Sequence, residues 1–150
     1  LVDLCPALLD QARQRVTGLA NVQVIEADAT TWQPQQPVDC VYLSYALSMM
    51  PDWRGVLANA WSMLAPGGQL GIVDFHLPMT GNRVGTRTRN QIGNLFWKTW
   101  FAHDGVHLSA EHLPALQALG RQSMLQERRA AVPYLPLLQA PYYLSISHKP

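Results

Sequence analysis

The sequence predicts an α/β fold with a mostly parallel sheet and an antiparallel strand pair at the carboxyl end. Three observations predict it. Strand-like runs at 1–2, 22–27, 38–43 and 69–75 alternate with helical spacing through residue 76. The first three open at their carboxyl ends into Asp3, Asp28 and Ser44-Tyr45, the edge at which open α/β sheets hold ligands. Two further strand-like runs, 122–132 and 142–147, flank Pro133-Tyr-Leu-Pro136.

Leu1 and Val2 read as the tail of a strand ending at Asp3. Pro6 suits the first position of a helix marked by Leu8, Leu9, Ala12 and Val16, and Gly18 suits its end. Asn21 then turns the chain into the strand that ends before Asp28. A polar, proline-containing connection over 30–37, with a turn near Trp32, leads to the strand 38–43. The stretch from Val41 to Trp53 is the organising one, because here a strand opens into a loop of small and polar residues. Asp52 is placed to cap the next helix, whose apolar positions are Val56, Leu57, Ala60, Trp61 and Leu64, and Pro66-Gly67-Gly68 is placed to stop it. The strand 69–75 follows and leads to Asp74 and His76. Beyond a polar stretch at 78–89, residues 95–101 and 109–119 read as helices, with Pro114 disturbing the first turn of the second.

The chain of 150 residues has a one-domain length, and 48% hydrophobic residues suffices for a core. Charged residues are 14%, against about 25% in ordinary soluble domains, which suits a sheet covered on both faces or a surface that meets something apolar. A net charge of +1 says little about partners, and the absence of a basic stripe argues against a nucleic-acid partner. Pro66-Gly67-Gly68 and Pro133, Pro136 and Pro141 interrupt the two uncharged runs of membrane-span length. Cys5 and Cys40, without a signal peptide, read as buried free thiols of a cytoplasmic protein.

An acid after a strand of a nucleotide-binding fold accepts hydrogen bonds from ribose hydroxyls, which is the reading of Asp3; Asp28 can take the amino group of adenine. The alternative for Asp3 is a helix-capping or dipole-complementing role before Pro6. Tyr45 offers an aromatic face for a cation or a ring for the core, and Trp100 offers a second such face. His103, Asp104 and His107, with His112 nearby, raise the thought of a metal site. Their spacing does not share one helix face, and no further cluster completes a shell, so no metal is assigned.

Val2-Asp3-Leu4, Glu26-Ala27-Asp28-Ala29, Val38-Asp39-Cys40-Val41 and Leu64-Ala65-Pro66-Gly67-Gly68-Gln69-Leu70 resemble the successive motifs of class I S-adenosylmethionine-dependent methyltransferases. The resemblance implies a Rossmann-like fold. It also implies that Asp3 and Leu4 hold the ribose, that Asp28 and Ala29 hold the adenine, and that Ser44, Tyr45 and Ala46 flank the methionine and the acceptor.

A narrower resemblance covers the second half. Asp52-Trp53, the run from Trp100 through His103-Asp104-Gly105-Val106-His107 to Ser109, Glu127-Arg128-Arg129, Val132 to Pro136 and Pro141-Tyr142-Tyr143 are similar to the N-methyltransferases of betaine-lipid synthesis. Those enzymes methylate the amino group of diacylglyceryl-homoserine. The resemblance implies an acceptor-side role for His103, Asp104 and His107, as proton acceptors or carboxylate contacts, beside Tyr45. With a lipid acceptor, the aromatic residues of 95–101 would rest peripherally on a membrane surface, beside Lys98 and the upstream arginines.

The departure from the family pattern lies ahead of Leu1. The first strand and its glycine-rich loop are expected before it, the missing strand belonging between those ending at Asp3 and Leu43, so residues 1–150 read as one methyltransferase domain incomplete at its amino end. The expectation that follows is weak S-adenosylmethionine binding by this chain alone. Three rival readings stand beside this one. They are a methyltransferase of the same fold with another small or lipid acceptor, such as a quinone precursor, a nucleotide-binding dehydrogenase, and a non-catalytic lipid-binding or interaction fragment.

Overall fold

The computed structural model describes residues 1–75, 106–132 and 135–150. The elements in order are β1 (Val2–Asp3), α1 (Pro6–Arg15), β2 (Ile25–Glu26), β3 (Val38–Ser44), a 3-10 turn (Leu47–Met49), α2 (Trp53–Met63), β4 (Leu64–Phe75), α3 (His112–Leu119), β5 (Arg121–Val132) and β6 (Leu135–His148). They form a β1-β2 pair and a mixed sheet in the order β3-β4-β6-β5. Both β1-β2 and β3-β4 are parallel, whereas β6 runs antiparallel to β4 and β5. Among the described residues no ladder joins β1 or β2 to β3.

The strand-helix alternation and the antiparallel end stand as the sequence suggested, with the bounds of α1, β2, β4, α3 and β6 moved; β6 starts at Leu135, not Tyr142, because β5 pairs with it as far as Val132. Helix α1 stops at Arg15, and the chain turns through Gly18 at φ +86°, a conformation open to glycine. Strand β2 has two residues, not six, because its partner β1 offers only Val2 and Asp3 for pairing. Strand β4 begins at Leu64 and runs through Pro66-Gly67-Gly68, which the sequence assigned to a turn. The reason is distant in sequence: the Gly67 N–H donates to Lys149 O at 3.1 Å, and the Lys149 N–H donates to Gly68 O at 2.9 Å. The Lys149 ammonium also donates to Leu64 O at 2.7 Å, next to the end of α2. Helix α3 begins at His112, not Ser109, which puts Pro114 in the first turn, where its missing N–H has no intrahelical partner to lose.

Helix α2 explains how the core is assembled. Asp52 accepts from the Gly55 N–H at 3.0 Å and fixes the helix start. Val56, Leu57 and Ala60 then fall on one side and pack with Leu47, Leu70, Ile72, Leu113, Leu116 and Tyr143. One apolar cluster thus ties α2, α3, β4 and β6 together. Leu116 is fully buried within it, so its truncation to alanine costs about 2–5 kcal/mol.

Cys5 and Cys40 are exposed, which corrects the expectation of burial. Cys40 alternates with Val41 along β3 and lies on the side that carries the exposed Tyr42, away from the core. No helix among the described residues is long and apolar enough to cross a membrane. The aromatic segment 95–101 lies outside the described residues.

Candidate functional site

The site is built from strand ends. Asp3 closes β1 and pairs in register with Glu26 at the end of β2, and the Ala27 N–H donates to Asp3 O at 3.1 Å. Asp28 follows at once, so the two acids and their neighbours Leu4 and Ala29 share one edge. Asp3 Oδ1 accepts from the Cys5 N–H at 2.8 Å, organising the step into α1. That contact is a turn onto Cys5, the residue before α1, and not a helix cap, since α1 has no side-chain cap hydrogen bond. Asp3 Oδ2 has no hydrogen-bond partner among the described residues.

Asp28 is arranged in the same way. Its Oδ1 accepts from both the N–H and the hydroxyl of Thr30, at 2.8 and 2.7 Å, closing a tight turn. The backbone bond first, and the hydroxyl bond second, hold its carboxyl below the usual aspartate range. Asp28 is therefore an anionic acceptor, and its Oδ2 is also without a partner among the described residues. Two acids, each with one oxygen fixed by its own turn and one oxygen open, are suited to hydroxyl and amino donors such as those of an adenosyl group.

The turn that follows Asp28 is fastened from behind by α2. Asn59 Nδ2 donates to Ala29 O at 2.9 Å and to Trp32 O at 2.8 Å. Asn59 Oδ1 accepts from Gln33 Nε2 at 2.5 Å. Asn59 was not legible as a site-shaping residue, because its partners lie 27 and 30 positions away.

Ser44 ends β3 and is exposed. Tyr45 departs from ordinary geometry: its φ is +50°, which a bulky residue adopts rarely. Its N–H donates to Val73 O at 2.7 Å, and its ring rests on Phe75 with centroids 4.8 Å apart. The side chain is exposed, at 40%, although its ring rests on Phe75, so the core reading and the ligand-facing reading both describe part of it. Burial chiefly, then Tyr142, Tyr42 and Asp74, push its phenol above the usual range. The phenol is a neutral hydrogen-bond donor at physiological pH. Ala46 is half-buried and leads into the turn at Leu47–Met49.

Of the residues assigned to the acceptor side, His107 is described; His103 and Asp104 lie outside the described residues. The His107 side chain is exposed, and its N–H donates to Ser48 O at 2.6 Å, which brings it to the β3 loop. His112 is a core group, fully buried in α3 with its ring edge-on to Trp53 at 4.7 Å. Asp74, legible only as a strand end, is also fully buried and bonded to Ser48.

Residues 1–68 match the family model described as a methyltransferase domain. Trans-aconitate 2-methyltransferase of Methylobacterium radiotolerans is 38% identical over 71 residues, 47% of this chain and 26% of that enzyme. The match thus spans about a quarter of that curated relative's length. Among solved structures, a Bacillus halodurans protein provisionally described as a methyltransferase superposes with a TM-score of 0.75 at 16% identity, covering 99% of this chain and 81% of that one. The N-methyltransferase NodS of Bradyrhizobium japonicum, solved with S-adenosyl-L-homocysteine, gives 0.68 at 16% identity over 99% of this chain and 65% of that one. The chain has the Rossmann-like fold of these methyltransferases.

Proposed function

We propose that this chain, with a methyltransferase-domain sequence in its first 68 residues and the corresponding fold, serves an S-adenosylmethionine-dependent methyltransferase. The observation that carries the reading is the paired turn at the ends of β1 and β2. Asp3 and Asp28 each spend one carboxylate oxygen on the local backbone and hold the other open. Asp3 with Leu4 would hold the ribose, Asp28 with Ala29 the adenine, and Ser44 to Ala46 the methionine end. Bound there, the sulfonium supplies an electrophilic methyl group.

What remains for the protein is alignment, exclusion of water and control of one proton. Tyr45, fixed by Val73 and Phe75, places a neutral phenol and an aromatic face beside the loop. The phenol can donate to a carboxylate of the acceptor, and the face can border a nitrogen that gains permanent charge as methyls accumulate. An amine acceptor must first lose a proton, and His103, Asp104 and His107 are the groups proposed to take it or to contact the acceptor's carboxylate.

Two acceptors have support. The carboxyl half, through its resemblance to the betaine-lipid enzymes, favours the amino group of a diacylglyceryl-homoserine lipid. The protein would then act in the cytoplasm, with residues 95–101 peripheral at a membrane surface. The relative named above favours trans-aconitate. The family match ends at residue 68, whereas the segments behind the lipid reading lie beyond it. Both acceptors carry a carboxylate, the group that Tyr45 suits.

The test is to incubate the full-length protein with methyl-labelled S-adenosylmethionine and, in separate arms, a diacylglyceryl-homoserine extract and trans-aconitate. Label in the lipid supports the first acceptor, and label in an alkali-labile ester supports the second. Label in neither removes both acceptors.

A further inference from the structure

Asp74 is wholly shielded from solvent, and a buried carboxylate is costly unless its oxygens are filled. Here three donors fill them. The Ser48 hydroxyl donates to Oδ1 at 2.5 Å and the Ser48 N–H to Oδ2 at 3.0 Å, while the Phe75 N–H donates to Oδ1 at 2.7 Å. Ser48 is itself 1% exposed. Its carbonyl faces another way and accepts from the His107 N–H at 2.6 Å.

Ser48 therefore joins three pieces of chain that are far apart in sequence. One is the loop after β3, which carries Tyr45 at a strained φ. Another is the end of β4, whose Val73 carbonyl and Phe75 ring hold Tyr45. The third is the segment that presents His107. What the carboxylate adds is a fixed position, because charge-assisted bonds to two atoms of one residue leave that residue a single orientation.

We infer that Ser48 and Asp74 are a positioning pair that fixes the loop of Tyr45 and the segment of His107 relative to one another on the acceptor side. The inference rests on the reading of Tyr45 and His107 as acceptor-side residues, although the link itself does not. Neither Ser48 nor Asp74 touches the reacting atoms; both act through the residues they hold.

The test combines amide hydrogen exchange with kinetics on the full-length protein and its Ser48→Ala and Asp74→Asn variants. Ser48→Ala removes only the hydroxyl and keeps the backbone bond. Asp74→Asn keeps the shape, removes the charge and turns one accepting oxygen into a donor, so at least one of the three bonds is lost. The pair predicts exchange faster by about tenfold or more in peptides covering 45–49 and 106–108, with α2 and β6 unchanged. It also predicts kcat/KM for the acceptor falling by about tenfold, with the dissociation constant of S-adenosylhomocysteine held within about twofold. Unchanged exchange in the two segments would overturn the inference, as would faster exchange spread evenly over α2 and β6, the sign of a purely structural role. If exchange changes as expected while the unaltered protein methylates neither acceptor, the link stands and the functional reading falls.

Discussion

Asn59→Ala is the most informative substitution on the cofactor side, because the structure gives its magnitude. Asn59 Nδ2 holds two carbonyl oxygens, those of Ala29 and Trp32, at 2.9 and 2.8 Å. Each such bond contributes about 1 kcal/mol net, so removing both costs about 2 kcal/mol, and the solvent-exposed Gln33 bond to Asn59 Oδ1, lost as well, adds little because water replaces it. Alanine is the better helix former by about 0.6 kcal/mol in the middle of α2, which offsets part of that loss. The expected change is therefore about 1.5 kcal/mol, read as a lower urea midpoint with an unchanged slope. The same change releases the turn that presents Asp28 and Ala29, so S-adenosylhomocysteine affinity in calorimetry should fall by about five- to tenfold, the equivalent of one such bond. A variant whose midpoint and affinity both match the unaltered protein would refute the argument that α2 fastens the Asp28 turn.

Other outcomes follow from single contacts. The Asp28 carboxyl, titrated by NMR, should show its midpoint below the ordinary aspartate value, and Thr30→Val should raise it part of the way, since the backbone bond remains. A depressed folded-state pKa means that this contribution is present above the unfolded value, about 3.9, and is lost as pH falls through the lower folded one. A midpoint at or above the ordinary value would contradict it. Gly120→Ala should destabilise the fold by about 1–3 kcal/mol through overpacking. A Cβ there would lie 2.7 Å from the Trp61 ring and 2.9 Å from His148 O, and an unchanged denaturation midpoint would show that the ring can move aside. Asp52→Ala should cost about 1 kcal/mol by freeing the Gly55 N–H at the start of α2, again read from denaturation, and a change near zero would remove the capping role.

What could be read from sequence was local. Asp52 and the spacing of Val56, Leu57 and Ala60 announced α2, because a cap and an apolar face are both written in neighbouring residues. The acids at the strand ends were legible for the same reason. The bonds that complete the site and the start of β4 were not, since they join distant positions: Asn59 to the Asp28 turn and Ser48 to Asp74 for the site, and Lys149 to Gly67 and Gly68 for β4. Tyr45 at positive φ had no signal either, because that conformation is normally announced by glycine or asparagine. Burial of Cys40 was misjudged because alternation along β3 identifies two faces without saying which of them meets α2. The boundary of β4 failed on a similar point, as Pro-Gly-Gly usually breaks a chain that no distant partner holds.

Asp3 and Asp28 are the proposed anchors of the cofactor. The most direct measurement is isothermal calorimetry of S-adenosylhomocysteine binding to the full-length protein and to its Asp3→Ala and Asp28→Ala variants, with folding checked by circular dichroism. One site per chain is predicted, weakened by about tenfold or more in each variant, as the loss of a charged hydrogen-bond acceptor requires. Equal affinity in all three proteins, or no binding by the unaltered one, would contradict the account.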